Sequence, residues 1–228
     1  MLPAVQQNGE ALFYASAALK NDLEVVLAAV RQIGEALRHA SPELKNTLEV
    51  MLAAVQQNGK ALYYGSAQLK RDRRVVLAAV QQSGHALWHA STELKRDREV
   101  VLAAVQQNGH ALEYASAELR NDPEVVLAAV RQVGEALHHA SAELRNNPVV
   151  VLAAVQQSHK ALSYVSTELQ RAPEVVLAAV GSPVSSGASS GGSPGALEPR
   201  TLWDTDILSL LVPRRTSKAS IVRKRARV

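Results

Sequence analysis

The chain has 228 residues, 47% of them hydrophobic but only 4% aromatic. Its apolar mass is therefore Ala, Val and Leu, which suits closely packed helices better than a β-sandwich. It has no cysteine, so disulfides, thiolate metal sites and cysteine nucleophiles are excluded. The formal charge of +4 is unevenly placed. Residues 1–180 carry 17 Lys and Arg against 18 Asp and Glu, while the remainder carries eight against three. The basicity belongs to the end of the chain, and the pI gives no reason to expect nucleic acid on the folded part.

The opening segment, MLPAVQQNGEALF, has neither the basic nor the apolar region of a secretory leader. The expected location is intracellular rather than secreted. Apolar stretches such as VVLAAV, from Val25 to Val30, fall far short of the roughly 20 residues of a membrane span.

One unit repeats along residues 1–180. Val5, Val30, Val55, Val80, Val105, Val130, Val155 and Val180 recur every 25 residues, as do the glutamines from Gln7 to Gln157 and the serines from Ser16 to Ser166. Such unbroken register predicts an all-α solenoid of about seven units, each stacked on the next through the same contacts. A 50-residue alternation lies over it. Tyr14, Tyr64, Tyr114 and Tyr164 take turns with His39, His89 and His139 at one unit position, as expected from duplication of multi-unit blocks.

Within a unit, Asp22 reads as an N-cap and Glu24 as a first-turn anion, and Asp122-Pro123-Glu124 shows the same logic. A longer helix follows over EVVLAAVRQI, with Val26, Ala29, Val30 and Ile33 on the buried face, widened by Val25 and Leu27. Gly34 is expected to be left-handed and to end the helix. A short helix, EALRHA, buries Leu37. Ser41 then caps a last turn, PELKN, that buries Leu44. Neither short piece is stable alone, so stacking must supply the stability.

Three places depart from the pattern. Met1 enters midway along a long helix. His159 takes the glycine position, at a cost on the order of 1 kcal/mol if that position needs positive φ. The array stops at Val180 after a long helix without a polar capping unit, which suggests a longer array, or ends covered by a partner or a second copy.

Beyond the array, residues 181–200 read as a flexible Gly/Ser/Pro linker. Residues 201–212 read as a short amphipathic helix through Trp203, Ile207, Leu208, Leu210 and Leu211, which could dock on the array, enter a partner's groove or have no dedicated partner. Residues 213–228 read as a basic disordered tail. There Lys224, Arg225 and Arg227 resemble a monopartite nuclear import signal, and Ser217 after Arg214-Arg215 resembles a basophilic kinase site. Such a tail could also attract nucleic acid or acidic surfaces.

Chemistry-bearing constellations are weak. His85 and His89, four apart, could chelate a metal, but the zincin pattern needs Glu where Ala86 stands. The histidines at the tyrosine position are better read as filling a half-buried slot. The serines look like repeated caps rather than one nucleophile, and the glutamines like bonds to a neighbouring unit's backbone. Charged residues such as Glu24, Glu99 and Glu124 read as solvated first-turn groups. No enzyme, cofactor or metal is implied.

Two positions vary strongly while their neighbours do not. One reads Glu10, Glu35, Lys60, His85, His110, Glu135, Lys160. Three residues on, the other reads Phe13, Arg38, Tyr63, Trp88, Glu113, His138, Ser163. Both lie on one face of the short helix and form a ladder with different chemistry on each unit. It reads either as a binding surface for a protein partner, with Phe13, Tyr63 and Trp88 as anchors, or as neutral drift at solvent-facing sites.

The string EVVLAAVQQNGHALEYASAELRND, from Glu99 to Asp122, resembles the repeat of the family called domain of unknown function 4116, and the resemblance extends over essentially residues 1–180. It implies tandem helical repeats. It brings no established activity and no catalytic or binding residue.

Overall fold

The computed structural model describes residues 2–181. The expected linker, short helix and basic tail, with Ser217, Lys224, Arg225 and Arg227, lie outside the described residues.

The long helices are Leu2–Gln7, Leu23–Gln32, Leu48–Gln57, Arg73–Gln82, Arg98–Gln107, Pro123–Gln132, Pro148–Gln157 and Pro173–Gly181. Each begins a rung, numbered 1 to 8 in chain order. Rungs 1 to 7 continue with a six-residue 3-10 helix, such as Gly34–His39 and Gly84–His89, and a final short helical turn. No strand occurs among the described residues. Each long helix packs on its counterparts in the adjacent rungs, and the 3-10 helices do the same. The fold is the all-α solenoid that the 25-residue period predicts.

The start of each long helix follows from its cap. Asp22 Oδ1 accepts from Val25 N at 3.0 Å, and Asp122 caps a helix opened by Pro123. The final turns are capped by the repeated serines. Ser41 Oγ accepts from Leu44 N at 3.2 Å, and Ser66, Ser91, Ser116 and Ser141 do the same in their rungs. Ser166 is the exception and makes no side-chain cap bond.

One apolar spine runs through the array. Val26, Ala29, Val30 and Leu37 are completely buried, and so are their equivalents through rung 6. Rung 3 carries a compensating pair. Met51 stands where neighbouring rungs have Val26 and Val76, and Gly65 where they have Ala40 and Ala90. A Cβ on Gly65 would lie 2.7 Å from Met51 Cε, so the larger residue uses the space the smaller one leaves.

The structure corrects the role of the glycine. The long helix ends at Gln32, with Ile33 extended at φ −138° and half-buried, and Gly34 is not left-handed. The glycine is needed for close approach instead. At Gly84 a Cβ would stand 2.5 Å from the backbone oxygen of Ala104 in the next rung and 3.0 Å from Asn108 Cβ. The expected cost of His159 through positive φ therefore does not apply. In that rung Leu162 is half-buried, whereas Leu137 is fully buried, and the following long helix leaves Val176 and Leu177 exposed.

Polar bonds fix the register between rungs. Gln107 Oε1 accepts from Gly84 N at 2.6 Å while its Nε2 donates to Gln82 O at 3.4 Å, and Gln157 repeats both bonds with Gly134 and Gln132. Gln107 and Gln157 thus take the backbone role expected of the repeated glutamines. Ser41 N donates to Lys20 O at 2.9 Å, and Ser91, Ser116 and Ser141 make the same bond to the previous rung. On the outside, Arg73 bridges Asp97 and Glu99, and Arg98 bridges Asp122 and Glu124. Glu99 and Glu124 are thus exposed first-turn groups, as expected, but each is tied to an arginine of the rung before.

Candidate functional site: a ring-lined ladder

The second element of rungs 1 to 7 is wound as a 3-10 helix, with three residues per turn. This tight winding decides which side chains share a face. Residues three apart eclipse, so Glu10 lies under Phe13, Lys60 under Tyr63 and His85 under Trp88. The expected ladder is therefore a single face. The same winding separates His85 from His89, which are four apart, by about a third of a turn. The chelating pair that an α-helix would form is not made. His85 Nε2 meets Asn108 Nδ2 at 3.0 Å, and His89 packs on Tyr63. No group of three or more His, Asp or Glu residues is placed to hold a metal among the described residues.

The slot beside the ladder is half-buried, as expected, at His39, Tyr64, His89, Tyr114, His139 and Tyr164, but Tyr14 is 83% exposed. The difference follows from how the slot is covered. Four of the slot rings pack against the outer ring of the preceding rung. Phe13 lies 5.0 Å from His39, Tyr63 5.2 Å from His89, Trp88 5.3 Å from Tyr114 and His138 4.8 Å from Tyr164, centroid to centroid. His110 and His139 meet at 6.1 Å. No described rung precedes Tyr14, whose ring meets only the edge of its neighbour Phe13, at 4.9 Å, among the described residues.

Phe13, Tyr63 and Trp88 remain 53%, 59% and 60% exposed despite these contacts. They are held in place yet open to solvent. Tyr63, Tyr64, His85, Trp88, His89 and Tyr114, with Glu35 and Lys60, line an open groove of about 450 Å³ across rungs 2 to 5. Arg38 is less available. It donates to Glu10 Oε2 at 2.6 Å and to His39 Nε2 at 2.8 Å. Glu113 is exposed beside Tyr114.

Burial lowers the pKa of His39, His89 and His139 below the ordinary histidine value, and nearby Lys70 and Lys95 add to this at His89. A base with a lowered folded pKa binds its proton first in the unfolded chain. The stability it contributes is therefore full above pH 6.5 and is lost as pH falls through the folded values. Melting temperature is expected to fall from pH 7.5 to pH 5. Replacing His39, His89 and His139 together by tyrosine, which fills this slot in alternate rungs, should flatten that fall. An unchanged slope would show that the slot histidines do not cause it.

One feature of this surface escapes a reading by variation. Lys20, Lys45, Lys70, Lys95, Arg120 and Arg145 occupy the same position in six consecutive rungs, all half-buried. Lys20 Nζ lies 5.8 Å from the Phe13 ring and Lys70 Nζ 5.7 Å from the Tyr63 ring. The 25-residue spacing displays this column, but its chemistry hardly changes between rungs.

The architecture defines the chain as a helical-repeat solenoid whose variable surface is this ladder. The family described as Domain of unknown function (DUF4116) matches residues 1–45, 23–70, 47–95, 72–120, 97–145 and 122–170, and the chain belongs to that family. Each match spans about two rungs, and the later ones step by 25 residues, in register with the solenoid. No curated protein and no solved structure matches the chain.

Proposed function

We propose that the array is a non-catalytic scaffold that binds a protein partner along the ladder, without a cofactor. The observation that carries this reading is the exposure of Phe13, Tyr63 and Trp88 on one face while each packs against a slot ring of the next rung. Large rings already held in place lose little conformational entropy on binding, and such residues dominate binding energy at interfaces. Lys60 and His85, which also line the groove, add polar groups to it. Drift alone predicts no reason for three large rings to stay exposed beside otherwise uniform rungs.

Full-length chain carrying Lys60→Glu with Trp88→Ala is expected to lose at least ten-fold in partner capture, since a buried aromatic anchor contributes 2 kcal/mol or more (about 2–4 kcal/mol). Its helical circular dichroism should be unchanged, because both side chains are exposed. Partner capture equal to that of the parent chain would remove the ladder from the account.

A further inference from the structure

We infer that the column Lys20, Lys45, Lys70, Lys95, Arg120 and Arg145, with the rings beside it, is a track for an extended peptide that carries an acidic side chain at every third residue. This rests on the scaffold reading and names the chemistry of its partner.

The six cations form a half-buried column in which Lys70 Nζ donates to Tyr63 O at 2.8 Å but no carboxylate is paired with any of them among the described residues. Arg38, Arg73, Arg74 and Arg98 all make ion pairs, whereas none of the six does among the described residues. The Nε atoms of Arg120 and Arg145 are buried without a hydrogen-bond partner. Burial also lowers the pKa of Lys45, Lys70 and Lys95. A half-buried cation without a counter-charge is poorly compensated and gains from receiving an anion. The glutamates two residues earlier do not supply one. Glu43, Glu93 and Glu118 are drawn to the N-terminus of their own turn, where backbone N–H groups and then the capping serine hold their carboxyls below the usual range.

The spacing selects the partner's conformation. Packed helical rungs repeat at about 8–10 Å. A polyproline II chain advances about 3.1 Å per residue with three residues per turn, so every third side chain points the same way about 9.3 Å further on. A β-strand would turn alternate acidic groups away from the column. Single-stranded nucleic acid fits less well. Phe13 meets His39 and Tyr63 meets His89 edge to face, at interplanar angles of 66° and 61°, and Trp88 leans on Tyr114 at 48°, so these rings do not form a parallel stack for bases.

The test is acetylation of lysines in the full chain, read residue by residue by mass spectrometry. The probe is an 18-residue peptide of six Glu-Pro-Pro triplets. One control has the same composition with its glutamates clustered at one end, and the other is a deoxythymidine 20-mer. The triplet peptide is expected to slow acetylation of Lys70 and Lys95 at least five-fold, and the clustered peptide to slow it less than two-fold. Because each lysine is read separately, binding at the basic tail does not obscure the result. In addition, Lys70→Glu with Lys95→Glu should weaken triplet-peptide binding at least ten-fold. No protection, equal protection by the clustered peptide, or protection by the oligonucleotide alone would overturn the inference. If it fails while capture still depends on Lys60 and Trp88, the scaffold reading stands and only the partner class is wrong.

Discussion

Replacing Gly84 with alanine is expected to destabilise the array by about 3 kcal/mol, the upper end of the usual overpacking range. The added methyl would stand 2.5 Å from Ala104 O and 3.0 Å from Asn108 Cβ. Ala104 O cannot move aside freely, because it accepts the bond from Asn108 N that closes the long helix of rung 5. Gly84 N is also fixed, by its bond to Gln107 Oε1. Rungs 4 and 5 must therefore separate slightly, which weakens both contacts. For a chain of this size the loss corresponds to a fall in melting temperature of about 6–12 °C. Stability in a solenoid is held in nearest-neighbour interfaces, so the thermal transition should also broaden. Thermal unfolding followed by circular dichroism checks both. A change below 2 °C would show that the glycine is not a packing requirement.

The second large effect is Leu112→Ala, with an expected loss of about 4 kcal/mol from transfer and cavity terms together. Leu112 is completely buried in the spine, enclosed by its own rung and the next. Leu162, its counterpart in rung 7, is only half-buried. Leu162→Ala should therefore cost about half as much. Denaturant unfolding of the two variants tests whether interior rungs carry more stability than rung 7. Equal losses would contradict the difference in packing.

Much of the fold is legible in the sequence because each unit states it again. The N-cap at Asp22, the serine caps, the buried valines and the inter-rung role of Gln107 and Gln157 follow from local rules repeated in register. Two features are not legible, for physical reasons. A glycine after a helix signals either a left-handed residue or a close approach, and both look alike in sequence. Only the position of Ala104 O in the next rung decides between them at Gly84. The tight winding of Gly84–His89 is likewise set by stacking. It keeps the three-apart ladder together and divides His85 from His89.

The candidate surface was partly legible. Variation beside constancy marks Phe13, Tyr63 and Trp88, but it does not mark Lys20 to Arg145, whose chemistry hardly varies. Nor does it show that Arg38 is tied to Glu10 and His39, which takes tertiary contact to establish.

The most direct test of the scaffold account is photo-crosslinking from single positions of the full chain in a lysate of its source cells. One chain carries a photoreactive phenylalanine at Trp88 and another carries it at Arg131, exposed on a long helix. The account predicts a discrete protein crosslink from position 88 that is lost when Lys60→Glu is added, and none of that partner from position 131. The same partner captured equally from both positions, or from position 131 alone, would contradict the claim that the ladder is the binding surface.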